Sequence, residues 1–295
     1  AGEMNAEFPM ITPHERVMHD DNTSCGSDLS SLGDFEDEDY WDGMEPVGIW
    51  RREPGAGTVL RPHPHNKPRI MEVFCPPRFS AKAHQYGLQP TVSFDLKCGW
   101  DLNDEESVKF LWKCIKEFRP MMIFGSPRRA AFSTLANLNK HHPSFQASLK
   151  EGLKHLVMCH EIYNYQVMHG RYFCHEHPMH ANSWALDFMK QLRTNPAVVE
   201  ALCDQCMFGQ SAVKDGVEKL ALKPTRFLTN CPGVQEALNI RCDHKHQHVT
   251  LIGGMAKQCE AYPPRLVQAF MKGLSKQLAE DKKKSRAGAS AAVAD

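Results

Sequence analysis

Three short stretches of the chain carry residues whose types and spacing could do chemistry. Glu176 sits near the end of an aromatic, strand-like run, Arg171 to Pro178 (RYFCHEHP), so a strand would carry its carboxylate to the edge of a sheet. Ser126-Pro127-Arg128-Arg129 follows the apolar run Met121 to Phe124 and the break at Gly125. Two arginines at a cleft mouth suit a phosphate, which takes paired hydrogen bonds from a guanidinium. An equally open reading makes them plain surface arginines. The third stretch pairs Cys203-x-x-Cys206 with Cys242-x-His244-x-His246-x-His248, enough sulfur and imidazole for a tetrahedral zinc. Alternate residues of an extended segment share a side, so the three histidines can converge. The interval of about 36 residues is not that of a zinc finger, and the Cys pair falls at a strand–helix boundary. A solvated His-rich turn over residues 243–248 is therefore preferred to zinc. Cys174 shares a strand face with Glu176 and is read as a buried structural thiol rather than a nucleophile.

The elements that must position these residues alternate between strand and helix. Strands are expected at 70–74 (IMEVF), 91–95 (TVSFD), 121–125 and 171–176. Helices are expected at 79–86, at 103–118 behind an Asn103 cap, at 147–168 and at 183–193. Residues 197–208 read as a mixed strand region, 214–222 as a polar loop and 225–229 as a short strand. A closing amphipathic helix follows Pro263-Pro264 on Leu266, Val267, Phe270, Leu274 and Leu278. This alternation predicts an α/β fold with a mostly parallel, doubly wound, Rossmann-like sheet and an irregular C-terminal subdomain. The expected organisation is an acidic disordered tail (1–50), a Pro/Gly/His-rich linker (51–68), a core (69–208), a C-terminal extension (209–280) and a frayed tail (281–295).

Charge is divided unevenly along the chain. Its 35 basic and 35 acidic residues cancel. Yet residues 1–50 hold 13 of the acidic ones and a single arginine, leaving 34 basic against 22 acidic in the remainder. That positive body suits a polyanion, DNA or RNA, through release of condensed counterions. A solvated lysine-rich surface is the bland alternative. No run of about 18 apolar residues predicts a membrane span. The first residues lack the basic and apolar regions of a secretory signal. An intracellular protein, nuclear or cytoplasmic, with its 11 cysteines reduced or metal-bound is the expectation. The start on alanine suggests a processed product or a piece of a longer polyprotein.

The G-S-P loop with Phe132-Ser133 behind it, the glutamate loop at 176–178 and the segment Lys223-Pro224-Thr225-Arg226-Phe227-Leu228-Thr229-Asn230 occur in an order that resembles the cytosine-C5 DNA methyltransferases. The resemblance spans about residues 69–280 and extends to methyltransferase-like segments of phage and retroelement polyproteins. It implies a class I domain binding S-adenosylmethionine. Phe74, Cys75, Arg78, Asp95, Asp101, Ser126 and Pro127 would lie at the cofactor, Glu176 at the ring-nitrogen edge of a flipped cytosine, and Arg226 in support of both base and glutamate. Arg129 stands where the family has its nucleophilic cysteine, and a guanidinium cannot attack a pyrimidine. Cys75-Pro76-Pro77-Arg78 replaces the glycine-rich loop. The resemblance thus implies a methyltransferase-like domain whose C5 chemistry is lost. The alternative is a non-catalytic nucleic-acid-binding module, with or without zinc. Oligomeric state is left open by both.

Overall fold

The computed structural model describes residues 67–133, 142–251 and 255–291, with side chains described as far as 287. The expected acidic tail and all of the expected linker except residues 67 and 68 lie outside the described residues. The described elements run β1 (Arg69–Val73), β2 (Gln89–Phe94), α1 (Glu105–Phe118), β3 (Met122–Gly125), α2 (Pro143–Met168), β4 (Tyr172–Pro178), α3 (Asp187–Arg193), β5 (Val199–Asp204), β6 (Ser211–Lys214), β7 (Val217–Leu220), β8 (Pro224–Thr229), α4 (Pro232–Leu238), α5 (Met255–Gln258) and α6 (Pro264–Ala291).

Six strands form one sheet in the order β2-β1-β3-β4-β8-β5. β1 pairs in parallel with both β2 and β3, and β3 with β4, while β8 lies antiparallel between β4 and β5. The α/β, mostly parallel, Rossmann-like architecture expected from the alternation is the one observed. From β1 the chain moves outward to β2, then crosses back to β3 on the other side. This reversal makes the carboxyl ends of β1 and β3 a topological switch point, where open α/β sheets form their binding crevice.

Side-chain alternation gives the sheet two cores. One face (Met71, Val73, Ile123, Phe173, Leu228) packs under α1 and α2. The other (Ile70, Met122, Phe124, Cys174, Phe227) packs under α4 and α6. On the second face Phe79 meets Phe270 at 4.2 Å and Phe124 at 4.4 Å between ring centroids. Burial of each such ring is worth about 1.5–3 kcal/mol. α4 and α6 cross with Gly233 and Gly273 against each other, and a β-carbon on either would overlap the partner's backbone.

Several expectations need correction. β8 comes from beyond residue 209 yet sits inside the sheet, so no domain boundary falls at 208/209. The expected loop at 214–222 holds the turn and second strand of the β6–β7 hairpin, which turns on Asp215 and Gly216 at φ 53° and 75°. Asp-Gly supplies the two left-handed residues that a tight hairpin turn demands. Asp104, not Asn103, caps α1, accepting from the Ser107 N–H at 2.9 Å. The segment 80–86 is a 3₁₀ rather than an α helix. α6 continues to Ala291 through the stretch expected to fray, where alanine and lysine favour helix.

Candidate functional site

Glu176 and Ser126 are brought together at the carboxyl ends of β4 and β3, adjacent strands in parallel register. The Ser126 hydroxyl donates to Glu176 Oε2 at 2.8 Å. Glu176 is 1% exposed, and its second oxygen, Oε1, has no hydrogen-bond partner. Burial pushes this carboxyl up, but the charges of Arg129 and Lys223, with the Ser126 hydroxyl, outweigh it and hold Glu176 below the usual glutamate value. It is an ionised, buried carboxylate with one acceptor to spare.

The surrounding residues come from three further elements. Lys223, just before β8, donates its ammonium to the Cys259 carbonyl at 2.7 Å and lies 5.6 Å over the Tyr262 ring. Its burial brings the amine down to about 8, although Glu176 opposes that shift. Burial together with the Glu176 charge raises the pKa of the Tyr262 phenol well above normal. Arg129 opens the short 3₁₀ turn at 130–132 and lies within electrostatic reach of Glu176, Lys223 and Tyr262.

The loop carrying Ser126 is held from the opposite face of the sheet. His177 is fully buried, its Nδ1 against Ser183 Oγ at 2.7 Å and its Nε2 against the Pro127 carbonyl at 3.2 Å. Donation to that carbonyl requires the proton on Nε2, and in the neutral ring Nδ1 then accepts from Ser183. Burial lowers its pKa to about 4, in agreement. Gly125 is required on the same face: a β-carbon there would overlap the Tyr163 hydroxyl, which is hydrogen-bonded to His175 Nδ1 at 2.9 Å.

Arg226 is not part of this site. Glu176 pairs with Phe227, and Arg226 pairs with His177, so Arg226 points to the other face. There its guanidinium lies 5.2 Å from the Trp184 ring and 3.7 Å from Glu200. The cations that act on Glu176 are Arg129 and Lys223 instead. Strand alternation separates residues 223, 225 and 227 from 226 and 228, but only the β4–β8 register says which set faces Glu176. Tyr262 carried no signal beyond its place before Pro263-Pro264. Cys174 does share the Glu176 face, yet it is buried in the core with a thiol pKa pushed well above normal by burial. All ten cysteines of the described residues are buried.

The loop after β1 and the two aspartates assigned to S-adenosylmethionine are engaged by the chain itself. After β1 the chain turns through Phe74 at φ 57°, a left-handed conformation strained for a bulky residue. Its ring lies 4.4 Å from that of His155. The loop then folds onto Glu72, whose Oε1 accepts from Arg78 N–H at 2.9 Å, Ser80 N–H at 2.8 Å and the Ser80 hydroxyl at 2.6 Å. Pro76 and Pro77 have no N–H, so little backbone donation is left for a cofactor. Asp95 caps a 3₁₀ turn through the Lys97 N–H at 2.9 Å, and Asp101 accepts the Asn103 N–H at 2.8 Å. Cys75 is buried, with a thiol pKa raised first by burial and then by Glu72.

The metal candidates divide as well. Donor atoms of Cys206, Cys242, His246 and His248 lie within 4.8 Å of one another. Cys203 is excluded, being in the sheet core, and His244 adopts φ 57° outside the cluster. No protein-family model matches this chain, and no curated protein matches it. Among the described residues no helix is long and apolar enough to cross a membrane.

Proposed function

We propose that the domain is a non-catalytic DNA-binding module built on a methyltransferase-like sheet, with Glu176 retained as a reader of a nucleobase edge. The observation that carries this reading is the unpartnered Oε1 of a buried, ionised glutamate at the switch-point end of the sheet. A buried acceptor without a donor costs about 1–3 kcal/mol, which a ligand donor would recover. The exocyclic amino group of a base extruded from the stack, such as that of cytosine, is a donor of the right kind.

Two cations beside it, Arg129 and Lys223, match a phosphate attached to such a base, and the positive balance beyond residue 50 extends that attraction. Three features argue against catalysis. Arginine replaces the thiol, the described cysteines are buried, and the loop after β1 is closed on Glu72.

Fluorescence anisotropy with labelled single-stranded and duplex DNA across a salt series tests the reading. The expected result is binding that weakens linearly in log salt, with Arg129→Ala and Lys223→Met each lowering the slope by about one. No transfer of labelled methyl groups is expected. Salt-insensitive binding, or none, would overturn the reading; a preference for RNA would redirect it to that polymer.

A further inference from the structure

A second constellation lies apart from Glu176, where the edge strand β5 ends. β5 gives way to a 3₁₀ turn at Gln205–Phe208 that presents Cys206. Asp204, the last residue of the strand, receives the segment that follows α4. Its Oδ2 accepts from the Arg241 guanidinium at 2.7 Å and the Cys242 N–H at 2.9 Å, and its own N–H donates to the Ile240 carbonyl at 2.9 Å. These bonds set Cys242 beside Cys206. Beyond Cys242 the chain bends at His244, in the left-handed region, and again at His246 before Val249 bridges to Ala221. His246 and His248 thereby turn back onto Cys242.

The distances are those of ligands around a common centre. Cys242 Sγ lies 3.6 Å from His246 Nε2 and 3.5 Å from His248 Nε2. Bonds of about 2.3 Å to sulfur and 2.0–2.1 Å to nitrogen at the tetrahedral angle would place S and N about 3.6 Å apart. The His244 N–H donates to Cys242 Sγ at 3.2 Å, the outer support a metal-bound thiolate commonly has. Two sulfurs and two imidazole nitrogens leave no open position, the mark of a structural rather than a catalytic site.

We propose that Cys206, Cys242, His246 and His248 form a structural zinc site. It clamps the segment 240–249 to the end of β5. The same clamp steadies the approach to β8, because the Gln205 N–H donates to the Lys223 carbonyl at 3.3 Å and Ala221 bridges Val249.

Elemental analysis of the full chain, purified without chelator, is expected to find one zinc per chain. Replacement by cobalt(II) should give the intense visible bands of a tetrahedral ion with thiolate charge transfer. Cys242→Ser and His246→Ala should reduce bound zinc to below about 0.2 per chain under chelator competition. His244→Asn, which tolerates the left-handed conformation, should keep it. Because a ligand variant can fail to fold, the cobalt spectrum of the unaltered chain stands as the independent readout. A wild-type chain that takes up neither metal, a cobalt spectrum lacking thiolate bands, or full zinc retention by Cys242→Ser would each overturn the site.

Discussion

Glu72 and Glu176 are the same residue type on the same face of the sheet, near the carboxyl ends of β1 and β4, and both are at most 1% exposed. Each leaves one buried oxygen without a hydrogen-bond partner, Oε2 of Glu72 and Oε1 of Glu176, but their other surroundings differ. Glu72 draws two backbone N–H groups and a hydroxyl to one oxygen, and burial still raises its carboxyl above the usual range because no cation faces it closely enough to win. Glu176 has one hydroxyl partner but two nearby cations, and is held ionised. Hydrogen bonds without counter-charge make a structural anchor; charge without enough hydrogen bonds makes a group that waits for a ligand. The first closes the loop where a cofactor would lie, and the second leaves an acceptor where a base would lie.

The largest effect that can break this contrast is on stability. Glu72→Ala removes the acceptor of two backbone N–H groups and the Ser80 hydroxyl and is expected to cost about 3 kcal/mol in urea unfolding, with Glu72→Gln recovering most of it. Glu176→Ala removes one hydrogen bond to a charged group and should cost about 1.5 kcal/mol. Equal losses at the two positions would erase the distinction.

A sharper version uses pH. Glu72 has a raised folded pKa, so its contribution to folding is complete below the ordinary glutamate value and is lost as pH rises through the folded one. Glu176 has a lowered one, so its contribution is present above the ordinary value and is lost as pH falls through the folded value. Unfolding free energies followed from pH 7 down into the acid range should therefore yield difference curves of opposite slope for wild type against Glu72→Gln and against Glu176→Gln. Slopes of the same sign would show that one of the two environments has been misread.

The smallest effect concerns Lys223, whose amine is brought to about 8 by burial. It is charged below that value, so DNA affinity should fall a few-fold as pH rises through about 8. Lys223→Arg, which stays charged, should flatten the dependence. A wild-type profile already flat across that range would remove Lys223 from the phosphate contact.

Much of this contrast was legible before the fold. Hydrophobic runs and helix periods placed the central strands, because those segments are buried and strongly patterned. Ser126 and Glu176 were marked by their places after two of those runs. Arg226 was misassigned because partner choice across β4 and β8 depends on register, and a shift of one residue exchanges faces. The β6–β7 hairpin was missed despite its Asp-Gly turn, since Lys214, Glu218 and Lys219 gave the segment a loop-like polarity. The convergence of Cys206 with the Cys/His segment was obscured by everything folded between them: a hairpin, a sheet strand and a helix.

The measurement that bears most directly on the role of Glu176 is equilibrium binding of wild type and Glu176→Gln to two oligonucleotides, one with cytosines and one with abasic sites at the same positions. The account predicts at least a tenfold loss for the variant on the cytosine strand, about 1.4 kcal/mol, and no loss on the abasic one. Equal affinities of the two proteins for both strands would contradict it.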